Sequence, residues 1–151
     1  MDDDARQAAV TALVRLAGSP HYQDRADAGR SLASFADVPL ARQTLLELVL
    51  DTADTFVIQE TTEALLRRGS AEGLAIVCVG AATAEGEDAD HLYGALYSTL
   101  GVFERDRDAA VATCHDLMND PAQDHQTRDG AAALIAKLSG FRPALLASET
   151  A

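Results

Sequence analysis

The stretch DTADTFVIQETTEALLRRG, Asp51 to Gly69, decides how the rest of the chain is read. Two aspartates three apart precede Val57 and Ile58, then Gln59-Glu60-Thr61-Thr62-Glu63, then two leucines and two arginines. Carboxylates beside an apolar patch are the raw material of a metal or acid–base site. The same letters also spell a helix end, a turn and a second helix. Asp54 fits an N-cap, whose side chain accepts from a free N–H of the first turn. Arg67 and Arg68 lie in the last turn, where the helix dipole favours cations. Gly69 fits the stop that follows. Val57 stands at the third helical position, where a capping box would have Glu or Gln, so the cap is a plain one. The structural reading of the aspartates is preferred because the stretch recurs.

Leu32, Leu65, Leu100 and Leu134 fall into one column with spacings of 33, 35 and 34 residues. Around them run ADAGRSLASFA, QETTEALLRRG, GALYSTLGVFE and RDGAAALIAKL. Four positions before the column leucines stand Ala28, Thr61, Leu96 and Gly130; one position before stand Ser31, Ala64, Thr99 and Ala133. An (i, i−4) pair with a small flanking residue is one buried helix stripe with close neighbours. A period near 34 residues with helix signals on both sides of each column is a two-helix unit.

Eight helices follow. Asp2 to Asp4 open one that Gly18 ends. Ser19-Pro20 turns the chain, and Asp24 or a neighbour opens the second, through Ala36. Asp37 caps a third behind Pro39, running to about Leu50. Asp54 caps the fourth. Ser70 starts the fifth, through about Ala84, with Leu74, Val77, Cys78 and Ala81 on one face. EGEDAD (residues 85–90) is a polar connection, and the sixth spans about Asp90 to Phe103 with Tyr93, Leu96, Tyr97 and Leu100 as its stripe. Asp106 or Asp108 caps the seventh, ending near Asn119, and the eighth starts at about Asp124. The expected fold is all-α, a short right-handed α-solenoid of about four helix pairs. Its domain is 1–140, in units 5–37, 38–69, 70–104 and 105–139. Residues 141–151 form a tail in which Phe141 and Leu145 pack on the last helix and the rest frays.

These residues resemble the HEAT-repeat family, whose units end a first helix in leucines, turn through Asp-Pro or a similar pair, and begin a second helix with Val-Arg. LVLDTADTFVIQETTEALL (Leu48 to Leu66) has the Asp turn, Val57 and the Ala64-Leu65 ending, with Gln59 where the pattern often has Arg. LMNDPAQDHQTRDGAAALI (Leu117 to Ile135) has Asp120-Pro121, Arg128 and Ala133-Leu134. LAGSPHYQDRADAGRSL (Leu16 to Leu32) is a looser copy, and the third unit lacks the Asp-Pro turn. The resemblance spans about residues 5–138. It implies a scaffold that binds proteins along a concave surface lined by second helices. A few relatives bind DNA or modify chromophore proteins.

Of 151 residues, 30 are alanine and seven are Phe or Tyr, so the apolar fraction is helix-forming rather than bulky. The formal net charge is −12. It disfavours phosphate-backbone binding, including that of HEAT-like DNA glycosylases, and an anionic membrane surface. A basic protein would be steered toward the chain. The start, MDDDARQ, lacks the apolar core of a signal peptide, and no apolar run approaches ~18 residues. The expected compartment is the cytoplasm, with Cys78 and Cys114 as buried free thiols.

The chemistry-bearing residues are scattered. His21, His91, His115 and His125 form no His-x-x-x-His pattern, and Cys114 and His115 point about 100° apart on a helix. His91 beside Asp88 and Asp90 is the nearest thing to a metal cluster. No cofactor, metal or catalytic group is expected; an enzyme or metal-dependent protein using Cys114, His115 or His91 is the competing reading. The leading expectation is a non-enzymatic protein-interaction module, or a small acidic scaffold or inhibitor, monomeric or weakly dimeric. Its second helices would meet a basic partner through Glu60, Glu63, Asp90, His91 and Tyr97. The same residues also read as solvated helix surface.

Overall fold

A computed structural model describes residues 1–146 of the chain. Among them are eight α-helices and no strand: α1 (Asp3–Ala17), α2 (Tyr22–Leu32), α3 (Pro39–Leu48), α4 (Thr55–Arg68), α5 (Ala71–Thr83), α6 (Gly86–Leu100), α7 (Glu104–Asn119) and α8 (His125–Ser139). A single 3-10 turn, Ala33–Phe35, extends α2.

Local chemistry sets most of the boundaries. Asp2, Asp54, Ser70 and Asp124 accept from the backbone N–H of Ala5, Phe56, Gly73 and Thr127 at 2.7, 2.9, 3.0 and 2.8 Å. Each satisfies an orphan donor of a first turn. Gly69 ends α4 at φ +68°, a left-handed conformation that costs an L side chain about 1–2 kcal/mol. Three boundaries differ from the expected ones. Asp37 does not cap α3; Val38 precedes Pro39, and the Asp37 carboxylate instead takes the Arg6 guanidinium at 2.9 and 3.1 Å. Helix α6 begins at Gly86, so most of EGEDAD is helix rather than connection. Glu87 and Asp88 sit in its first turn, where the dipole favours carboxylates. Helix α7 begins at Glu104, ahead of Asp106.

The four column leucines form the spine of the core. Leu32, Leu65 and Leu134 are fully buried and Leu100 nearly so, as are Ala28, Thr61, Leu96 and Gly130 one turn earlier. Helices α1, α3, α5 and α7 each touch the next, and α2, α4 and α6 do the same in a second row. Small residues allow the close approaches. A methyl group at Gly29 would collide with the Thr61 hydroxyl across the α2–α4 contact.

Helix α8 departs from that order. It packs on α5 and α7, and α6–α8 is not among the closely packed pairs. Gly130 is the reason. A side chain there would run into the backbone carbonyl of Cys78, so α8 lies with its backbone directly against α5. Its last turn meets α6 through Lys137, whose ammonium is 4.9 Å from the Tyr93 ring centroid.

The tail also takes a different course. Phe141 stands edge-on to Tyr97 of α6, with ring centroids 5.5 Å apart, and its carbonyl accepts from Arg107 at 3.0 Å. Leu145 is bound to the α6–α7 corner rather than to α8. Its N–H donates to Val102 at 2.8 Å and its carbonyl accepts from Glu104 at 2.9 Å. The expected fraying of the last residues falls on 147–151, outside the described residues.

Candidate functional site

Asp51 Oδ1 accepts from the N–H of Ala53 and of Asp54, both at 2.9 Å, and so folds the turn before α4. Its Oδ2 takes Arg25 Nε at 2.8 Å, and Arg25 Nη1 also donates to the carbonyls of Ser19 and Pro20 at 3.1 Å. Both side chains are largely buried, at 13% and 9% exposure. One carboxylate therefore closes its own turn and ties it to the preceding one. Asp54 is spent on its cap. Neither aspartate is open for a metal or a proton transfer, and among the described residues no group of three or more His, Cys, Asp or Glu could hold a metal ion.

The residues expected to face a partner lie on the row α2–α4–α6, where the structure sorts them. Glu60 reaches Arg30 of α2 at 3.2 Å, and Arg30 also holds Asp27 at 2.7 Å. Glu63 is not a rim charge. It is only 8% exposed and accepts from Ser98 Oγ of α6 at 2.8 Å, from Gln59 Nε2 at 3.3 Å and from Arg67 Nη2 at 3.1 Å. His91 Nδ1 lies 3.4 Å from Gln59 Oε1, and its Nε2 is 3.9 Å from Glu87. These bonds cross from α2 to α4 and from α4 to α6, so they set the spacing of the row. Asp90 is exposed, and Tyr97 is 63% exposed although its ring leans on Phe141. The five residues share one row, then, but split into two roles: Glu63 and in part His91 hold helices together, while Asp90, Tyr97 and the outer edge of Glu60 face solvent.

A second feature was not legible from the local sequence. Cys78 of α5 and Cys114 of α7 are both fully buried and free, on two helices that touch. The neighbouring Cys78 side chain holds the Cys114 thiol below its ordinary value. The neighbouring Cys114 side chain, together with burial, pushes the Cys78 thiol well up. His115 is exposed and takes no part in the pair, as its angle on the helix requires. Beside these helices lies a cleft of about 260 Å³, lined among others by Arg67, Leu74, Leu100, Asp106, Ala110 and Thr113. The signal for the pair was the 36-residue interval from Cys78 to Cys114, close to the 33–35-residue spacing of the leucine column.

No protein-family model, curated protein or solved structure matches the chain. No helix among the described residues is long and apolar enough to cross a membrane.

Proposed function

We propose that the chain is a non-enzymatic protein-binding module, a small acidic scaffold or inhibitor, that receives a basic partner on the exposed side of α2, α4 and α6. Its architecture on this reading is a short HEAT-like α-solenoid whose last helix folds inward as a terminal cap. The two rows of helices and the repeated leucine column support that view. The observation that carries the functional reading is Tyr97. A large aromatic ring stands 63% exposed on a row braced by internal hydrogen bonds, on a chain of net charge −12. Aromatic anchors on rigid supports supply binding energy at low entropic cost, and surrounding carboxylates steer a cationic partner and fix its orientation.

The test has two stages. Proteins captured from the native cytosol by the wild-type chain are first filtered for loss of capture by Tyr97→Ala. Association kinetics with the retained partner are then measured across a salt series for Glu60→Gln combined with Asp90→Asn. Tyr97→Ala is expected to weaken binding by about 2 kcal/mol or more, mostly through faster dissociation. The charge variant is expected to slow association severalfold at low salt, the effect shrinking as the Debye length falls to ~8 Å at physiological ionic strength. A partner that binds both variants as it binds the wild type would remove this face from the interaction.

A further inference from the structure

We infer that the outer flank of α6 seats a basic amphipathic helix of a partner protein, which takes the place that a further second helix would hold in the row α2–α4–α6. This seat rests on the protein-binding role proposed above and names the kind of element that role requires.

The row itself defines the flank. On α4, Gln59 and Glu63 reach across to α6: His91 Nδ1 lies 3.4 Å from Gln59 Oε1, and Ser98 Oγ donates to Glu63 at 2.8 Å. Thr62 and Leu66 stand three residues further on and share that side of the helix. Both are buried, Thr62 completely. The leucine column carries α4 onto α6 at an interval of 35 residues, from Leu65 to Leu100. Gln59, Thr62 and Leu66 thus correspond to Gly94, Tyr97 and Gly101. Their surroundings are the reverse of those on α4. Tyr97 is 63% exposed where Thr62 is fully covered, and a side chain at Gly94 would meet no atom within 4 Å.

Helix α8 does not cover this flank. Gly130 seats it against the Cys78 carbonyl of α5, and it meets α6 through Lys137 over the Tyr93 ring. The tail closes only one end. The Ala144 N–H donates to the Gly101 carbonyl at 3.3 Å, and Phe141 stands edge-on to Tyr97. From Glu87 to Tyr97 the side stays open over about three turns, a length of about 16 Å.

One unit earlier, the element that covers this face is a helix. The chemistry of the open stripe selects which kind of helix fits here. Glu87, Asp90, Gly94 and Tyr97 follow at intervals of three, four and three residues, hence along one side of α6. Tyr97, backed by Phe141, is an aromatic anchor. Gly94 lacks a side chain, so the backbone of an incoming helix can approach closely. Glu87 and Asp90 are exposed carboxylates that complement Lys or Arg. His91 Nε2 stays 3.9 Å from Glu87, and the Lys137 ammonium at the inner margin is turned onto Tyr93. A helix with its apolar stripe on Tyr97 and Gly94 and its cations toward Glu87 and Asp90 satisfies all four positions. A second copy of the chain would bring another net charge of −12 to the flank, and repulsion disfavours it.

The probe is a synthetic helix of about five turns, with leucines along one stripe and lysines on both margins. One companion peptide carries glutamate for every lysine; another has a central proline that breaks the helix at unchanged charge. Binding to the full chain is read by fluorescence anisotropy. The basic helix is expected to bind saturably, one per chain, and the companions about tenfold more weakly or worse. Tyr97→Ala and Gly94→Trp should each weaken the basic helix by about tenfold or more. Both substitutions fall on exposed positions, and circular dichroism checks that the fold is kept. Glu60→Gln, on the side of α4 that meets α2, should leave the affinity within about twofold.

The seat is overturned if the basic helix shows no saturable binding, if the broken peptide binds as well, or if Gly94→Trp binds as the wild type does. A wild-type dimer in sedimentation that Gly94→Trp dissociates would also overturn it, by giving the flank to a second copy. A native partner lost on Tyr97→Ala but kept by Gly94→Trp removes the helix seat and leaves the binding role standing. Retention of every native partner by Tyr97→Ala removes both.

Discussion

Replacing Asp51 tests how much of the stack depends on its turns. Asp51→Ala removes two backbone acceptor contacts at 2.9 Å and the 2.8 Å bond to Arg25. The turn contacts resemble a helix cap, whose loss costs about 0.5–2 kcal/mol. The ion pair is largely buried, so losing one partner also leaves a charge without its counterion; the fully buried case costs about 3–5 kcal/mol. Arg25 keeps its bonds to the Ser19 and Pro20 carbonyls, which lowers that figure. The expected total is about 2–4 kcal/mol. Asp51→Asn keeps an acceptor for the turn and loses the charge, so it should cost roughly half as much. The assay is urea unfolding followed by helical signal, in a double-mutant cycle with Arg25→Ala. A coupling energy of about 1 kcal/mol or more is expected, with an unchanged denaturant slope. A shift under about 0.5 kcal/mol for Asp51→Ala, or coupling within error of zero, would refute the bracing role and reopen the carboxylate as a site.

Three further outcomes follow from the packing. Leu65→Ala and Leu100→Ala should each cost about 2–5 kcal/mol in denaturant melts, because both column side chains are buried; shifts near zero would place them outside the core. Gly130→Ala should destabilise by about 1–3 kcal/mol, since its methyl meets backbone that cannot yield, while Gly94→Ala, with open space around it, should stabilise by up to about 1 kcal/mol. Equal effects at the two glycines would contradict the close seating of α8 on α5. The Asp124 carboxylate is held below its ordinary value of 3.8, first by the Thr127 N–H that it accepts. Its folded-state value is depressed, so its contribution is complete above the unfolded value and fades as pH falls through the folded one. The stability gap between wild type and Asp124→Ala should therefore be constant near neutrality and narrow below about pH 4; a gap unchanged down to pH 2 would contradict the cap's ionic character.

What the sequence made legible, and what it hid, follows the range of the forces involved. The caps at Asp54, Ser70 and Asp124 and the stop at Gly69 act within one turn, and local residues sufficed to place them. The leucine column recurs at a fixed period, so the buried stripe was readable without any tertiary knowledge. The start of α6 was not, because Glu87 and Asp88 look like a solvated loop until the dipole of the following helix is counted. Glu63 and Glu60 are chemically alike and three residues apart. Only the position of Ser98 on α6 makes one of them an interior acceptor. The seating of α8 on α5 depends on a missing side chain at Gly130, and a glycine in a helical pattern does not announce which neighbour it admits. The candidate residues lie along α4 and α6, and their division into bracing and exposed residues required the structure.

The proposed binding face is tested most directly by hydrogen exchange of the full chain, free and with the partner that Tyr97→Ala fails to retain. Amides of α4 and α6 from Gln59 to Ser98 along the exposed row are predicted to gain protection, with those of α1 and α7 unchanged. Protection confined to α1, α3 and α7, or a complex that protects none of the helices, would contradict the assignment of this face.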